Sequence, residues 1–189
     1  MTTVLCVLPD SVYKSLDCDT YDQARNAWTF NGPGPVVAHP PCRTWGRLRH
    51  FAHPNETEHA LAVHCLNLVR QFGGVLEHPA GSSLWQTCHL PRPGKIKNPM
   101  AYSICVDQFV WGHRAQKATW LYIVGCPPRR LPPIPFTLRT AQCVIATSRS
   151  NRAGSPGHRP EVSKHERSAT PLPFANWLLA VAARADHPD

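Results

Sequence analysis

No apolar run in these 189 residues approaches the roughly 20 needed to cross a bilayer. The apolar stretch near the N-terminus, Val4–Pro9, has no basic flank, so no signal peptide is expected and the chain reads as cytoplasmic, with no membrane partner. The eight cysteines are scattered through the chain and include no Cys-x-x-Cys pair, which argues against a disulfide scaffold and a structural zinc site. His39-x-x-Cys42, His64-Cys65 and Cys88-His89 are the nearest approaches to metal-ligand pairs. The zinc deaminase pattern is absent too, because Arg-Thr-Trp45 follows Pro-Cys42. No metal is expected. There is also no internal repeat and no linker composition, so one α/β domain spanning 1–189 is expected.

Positive charge and proline are in excess. Twenty Lys and Arg against 12 Asp and Glu leave a formal charge of +8 and a pI near 9.3, which favours a polyanionic partner, DNA or a nucleotide. Twenty prolines punctuate the loops, as at Pro127–Pro128, Pro132–Pro135 and Pro171–Pro173. Residues 137–165 are polar and basic and read as a surface excursion or small recognition segment.

Val4–Leu8 and Val36–His39 read as short buried strands, and Asp19–Asn26 as the start of a short helix. Asn55 and Glu58 have the spacing of a capping box. Leu61, Cys65, Leu68 and Phe72 recur at helical spacing, which predicts an amphipathic helix over 56–72 closed by Gly73–Gly74. Val75–Glu77 follows as a strand, and strand, helix, strand at this spacing predicts a parallel βαβ unit. Trp120–Val124 is a further buried strand, and Phe174–Ala183 is an apolar terminal helix opened by Thr170–Pro171. The expected fold is a Rossmann-like α/β domain with a mainly parallel sheet.

Ligand sites in such sheets lie at the carboxyl ends of strands. Cys42, in Val-Val-Ala-His-Pro-Pro-Cys-Arg, and Glu77, in Val-Leu-Glu-His-Pro, both fall there. A thiol beside a carboxyl group is what addition across a pyrimidine 5,6 double bond needs: the thiolate attacks C6, and the acid donates a proton or hydrogen bond to the ring edge. His39 and His78 flank the pair and could move protons or orient it. Arg43, Arg47 and Arg49 suit phosphate and would lower the thiol pKa. Lys117 and Thr119 precede a buried strand and could also hold phosphate. Ser82, Ser83 and Trp85 follow Glu77 as pocket-lining residues, with Trp85 a stacking platform.

Taken in order, these motifs resemble the DNA cytosine-5 methyltransferase family. Pro40-Pro41-Cys42 is similar to its Pro-Cys nucleophile motif, and Glu77-His-Pro to its Glu-Asn-Val motif, whose glutamate contacts the flipped cytosine. Trp120–Gly125 resembles the strand after its Arg-x-Arg motif. Arg167–Ala175 is similar to the last motif, which covers the cofactor pocket and brings in Thr170. Val12–Asp19 resembles the strand bearing the cofactor-ribose acid, here Asp17 or Asp19. The resemblance implies a transferase that modifies a pyrimidine in DNA or a nucleotide, with S-adenosylmethionine or another group donor. It departs from the family at Pro9-Asp10-Ser11, where no glycine stands, and at Ala118-Thr119-Trp120, where both arginines are absent and Lys117 or Arg114 would supply the cation. A large target-recognition domain is missing. The chain is similar to short methylase-like bacteriophage proteins, which would place it in a host cytoplasm. Two other readings stay open: a non-catalytic nucleic-acid-binding or inhibitory protein on the same fold, and a hydrolase or transferase pairing Cys42 with His39.

Overall fold

The computed structural model describes residues 1–46, 49, 56–146, 151 and 153–186. Asn55, Arg47, Arg149 and Arg152 lie outside the described residues, and the capping box and the Arg47 phosphate contact with them.

Six strands form one mixed sheet: β1 (Thr3–Leu5), β2 (Asp19–Tyr21), β3 (Val36–Ala38), β4 (Gly74–Pro79), β5 (Ala101–Asp107) and β7 (Ala118–Val124), in the order β2-β1-β3-β4-β7-β5. β2, β1, β3 and β4 run parallel. The fold is therefore α/β with a parallel half. The sheet is mainly parallel, as expected, and mixed: β7 lies antiparallel between β4 and β5. Only the short 3-10 turn Gln108–Trp111 and β6 (Ala115–Gln116) separate β5 from β7, too short a span for the crossover that parallel neighbours require. The excursion at 137–165 also returns to regular structure: β8 (Cys143–Val144) pairs with β6, and Ala115, Cys143 and Val162 bury together.

Asp19–Asn26 is not a helix start. Asp19–Tyr21 pairs with β1, and the Asp22 carboxylate then accepts the N–H groups of Ala24 and Arg25, which turns the chain. Local polarity was outweighed by a sheet edge with a place for one more strand. β1 is also shorter than its apolar run, because Cys6 turns out of the strand with φ 62°.

Helix α1 (Glu56–Phe72) packs on one face of the sheet and α4 (Leu172–Ala182) on the other. The period-2 alternation of the strands divides the core between them. Val36, Ala38 and Leu76 face α1 with Cys65, Leu66 and Val69, whereas Val37, Val75, Leu121 and Ile123 face α4 with Phe174, Trp177 and Leu178. Two shorter helices, α2 (Leu84–Thr87) and α3 (Lys164–Ser168), complete the chain.

The joint between α1 and β4 has to be glycine. Gly73 and Gly74 take φ of 75° and 117°, and a Cβ on Gly74 would sit 2.0 Å from the Val36 carbonyl oxygen, in the β3 backbone itself. Gly74→Ala is expected to cost about 3 kcal/mol or more, through backbone strain and a forced shift of the β3–β4 ladder. Gly112→Ala, also at positive φ but with nothing within 4 Å of its Cβ, should cost only about 1–2 kcal/mol. Urea unfolding of both variants checks the ranking, and equal costs would show that the close contact with Val36 is unimportant.

Candidate functional site

The register of the parallel strands assembles the site. Ala38 lies opposite Leu76, so the next residues, His39 and Glu77, emerge side by side at the carboxyl edge. His39 Nδ1 is 3.0 Å from Glu77 Oε2, and His39 Nε2 is 2.9 Å from the Tyr13 hydroxyl. The second carboxylate oxygen, Oε1, accepts Gln108 Nε2–H at 3.1 Å, and that same amide nitrogen donates to Thr119 Oγ1 at 3.0 Å. The Thr119 hydroxyl in turn donates a hydrogen bond to the Lys117 carbonyl at 3.1 Å.

These donors decide the charge on Glu77. Burial opposes ionisation, but the His39 hydrogen bond and charge, the Lys117 ammonium and His78 together hold the carboxyl down at about 2. Tyr13 is buried, and desolvation with the Glu77 charge pushes its hydroxyl well above the ordinary value, so it keeps its proton. Glu77 is ionised, so His39 Nδ1–H donates to it, and the Tyr13 hydroxyl hydrogen-bonds the other ring nitrogen. The expectation that Glu77 donates a proton to a ring edge is thereby corrected: it is a carboxylate with every neighbour arranged as a donor, and so an acceptor.

Cys42 follows His39 through Pro40-Pro41 and stands exposed. Its carbonyl accepts the N–H groups of Trp45 and Gly46 at 3.1 and 2.7 Å, which closes a tight turn. Trp45 is buried and stacks on His59 at 3.6 Å between ring centroids. Ser83 pins the same turn, its backbone N–H and its hydroxyl both donating to the Trp45 carbonyl. The backbone at Cys42 is thus held at one point. Protein packed around the thiol and the Glu77 charge raise its pKa, and Lys117 acts in the opposite direction.

Arg43 and Arg49, the described arginines of this stretch, are engaged away from the thiol. Arg43 forms a two-pronged pair with Glu58 at 2.6 and 2.7 Å, and Arg49 turns back to the Gly46 carbonyl. Phosphate at Arg43 would have to compete with Glu58. The cation at the site is Lys117, which burial destabilises and the Glu77 and Cys42 charges support. Its Nζ donates to the Ala169 carbonyl at 3.1 Å, which brings Thr170 to the edge of the same site. Thr119 is fully buried inside the network and is not placed to take a phosphate.

Other expected residues serve the scaffold. Trp85 is 4% exposed and its indole N–H donates to the Pro79 carbonyl, so it is a core residue and offers no stacking face. Ser82 accepts the Leu84 N–H and begins α2. Ser82 and Trp85 do line a shallow cleft with Ala80, Arg92 and Trp120, but Cys42 and Glu77 are not part of it. His78 alternates to the α1 face, fully buried, with neither ring nitrogen in a hydrogen bond among the described residues. The Pro41 carbonyl lies near enough to favour its protonated form, but burial dominates and depresses its pKa to about 4, so the ring is neutral.

Asp17 and Asp19 are not brought to the site. Asp19 lies opposite Thr3, at the amino end of the sheet, where it pairs with Arg25, and Asp17 precedes it. The acid at the carboxyl end of β2 is Asp22, already engaged by Lys14 and two backbone N–H groups. At the end of β1, the Cys6 sulfur is 3.6 Å from that of Cys65, and the exposed turn beyond it contains no glycine. These residues do not fit S-adenosylmethionine: the backbone cradle and a free ribose acid are both wanting. Among the described residues no cluster of three or more His, Cys, Asp or Glu could hold a metal ion, and no helix is long and apolar enough to span a membrane.

Tyr13 and Gln108 were not anticipated from the sequence. Tyr13 sits in a one-turn 3-10 helix (Val12–Ser15), and Gln108 opens another just after β5. Neither is marked by a motif. A buried Gln beside an acid-bearing strand is the one signal that could have been weighed.

The neutral His78 makes stability depend on pH. Unfolding lets it take up a proton that the fold denies it, so stability should fall as pH drops from about 6.5 to about 4, by roughly 3 kcal/mol. Replacing it in His78→Leu should flatten that slope in urea unfolding followed across pH, and an unchanged slope would assign it to other groups. No known family model matches the chain, and no curated protein sequence matches it either.

Proposed function

We propose that the chain is a pyrimidine-base-modifying enzyme on a Rossmann-like sheet, acting on DNA or a nucleotide. The observation that carries the reading is the convergence of three groups from separate parts of the chain. Glu77 and Lys117 both act on the Cys42 thiol, and each acts on the other. This supports the likeness to cytosine-5 methyltransferases at the motifs where the chemistry resides. Cys42 loses its proton to solvent and adds to C6 as the thiolate, and the π electron pair of the C5–C6 double bond moves to C5, delocalised onto N3 of cytosine or O4 of uracil. Glu77 accepts an N–H from the ring edge, and the Lys117 ammonium stands where it favours the thiolate and the developing negative charge. A proton or another electrophile joins C5, the C5 hydrogen leaves as a proton, and thiolate expulsion restores the double bond. No donor step is assigned, because the end of β1 does not fit S-adenosylmethionine.

A specific observation favours a second reading. The thiol is held protonated at neutral pH and the cofactor cradle is wanting, as in a non-catalytic nucleic-acid-binding protein on the same fold.

Solvent deuterium exchange at the pyrimidine C5 position, without any donor, separates the two. Cytosine- and uracil-containing DNA, single and double stranded, and the free nucleotides are offered to wild type and to Cys42→Ser. Wild-type exchange that is lost in Cys42→Ser is expected. Because the thiol pKa is raised above its ordinary value of 9.0, the rate should still be climbing at pH 8. Absence of exchange on every base, with nucleic-acid binding intact, would leave the non-catalytic reading standing.

A further inference from the structure

From Gln108 to Pro160 the chain carries no Asp or Glu, while eight Arg and Lys fall between Arg114 and Arg159. An extended strap without regular structure runs through this stretch, from Leu131 to Ala141. It starts near the far end of β7, after a 3-10 turn at Pro128–Arg130, and ends where Cys143 pairs with Ala115, two residues before Lys117. The strap therefore leads back toward the edge that bears the Cys42 site.

Its anchoring is one-sided. Leu131 packs into the α4 core, and the Trp177 indole N–H is shared between the carbonyls of Pro132 and Pro133 at 3.2 and 3.1 Å. At the other end Ala141 is buried, and its carbonyl accepts Arg159 Nη1. Between these fixed points Ile134 is 47% exposed, Phe136 83% and Leu138 90%. Large apolar side chains displayed on a fixed support mark a binding surface. Pro132, Pro133 and Pro135 restrict the backbone in advance, so little entropy is lost when a partner docks.

The charge around the strap selects the occupant. Arg130 is engaged by Asp186, and Arg114 by Glu166, but Arg139, exposed next to Leu138, makes no ion pair among the described residues. Exposed aromatic and aliphatic groups on a segment that carries Arg139 and no acid of its own are what unpaired bases on a phosphate chain require: a ring face for each base and a cation for the backbone. We infer that the 131–141 strap is a docking surface for single-stranded nucleic acid, with Phe136 stacking on a base, Leu138 wedged beside it and Arg139 on a phosphate. The inference goes beyond the proposed chemistry by naming a surface. Its readout is affinity, so its failure and that of the Cys42 reading are separable.

The test is fluorescence anisotropy with a short labelled single-stranded oligonucleotide, titrated at several salt concentrations. Wild type is expected to bind with salt-dependent affinity. Phe136→Ala should weaken binding about tenfold and Phe136→Trp should retain it. Arg139→Ala should reduce the log–log salt slope by roughly 0.7. The side chains at 136 and 138 are so exposed that thermal melts of these variants should match wild type, which excludes misfolding as the cause. Absence of wild-type binding at low salt, or equal affinity of wild type, Phe136→Ala and Leu138→Ala, would overturn the inference. So would size-exclusion chromatography showing a wild-type dimer that Phe136→Ala dissociates while oligonucleotide affinity is unchanged, because the strap would then be a contact between copies.

Discussion

A carboxylate can be kept ionised inside a protein only if donors replace the water it has lost. Glu77 meets that condition through His39 on one oxygen and Gln108 on the other, with Lys117 nearby. Each donor comes from a different element, and each is itself held: His39 by Tyr13, Gln108 by Thr119, Lys117 by the Ala169 carbonyl. The carboxyl edge of the sheet is thereby stitched to the 3-10 turn after β1, the turn after β5 and the segment between α3 and α4. Removing one donor would leave a buried charge short of a partner, so the network stands or fails as a unit.

The same network sets what Cys42 can do. The thiol belongs to a separate unit, a tight turn fixed by the burial of Trp45 and the two bonds from Ser83. It meets Glu77 and Lys117 only through space. The Glu77 charge works against the thiolate and Lys117 in its favour. In the proposed chemistry, a ring N–H that engages Glu77 would shift the thiol toward the reactive form.

Much of the scaffold was legible because it is written in short-range patterns. The 3.6-residue recurrence of Leu61, Cys65 and Leu68 gives α1, and Gly73–Gly74 ends it, since only glycine takes those φ values at such close approach to β3. Alternation and apolar runs place β3, β4 and β7. Prediction failed where a partner across the sheet outweighed local preference. Asp19–Tyr21 is polar enough to start a helix, yet it fills the free edge beside β1. Trp85 and Ser82 do line a cleft, yet Cys42 and Glu77 have no part in it, because the Trp85 ring is packed toward the core and Ser82 is tied to the Leu84 N–H.

The sequence by itself determined that Cys42 and Glu77 would stand at strand ends, because each ends an apolar run at a proline-bearing turn, and that a long basic stretch without acids would follow. The tertiary structure alone decided that β7 runs antiparallel, that Tyr13 and Gln108 join the site, that Asp17 and Asp19 do not, and that Glu77 is an acceptor. The reason is distance along the chain. Tyr13 is 26 residues from His39 and Gln108 is 31 from Glu77. Local spacing carries no information about such pairs; strand order and register create them, and the charge state of Glu77 depends on them.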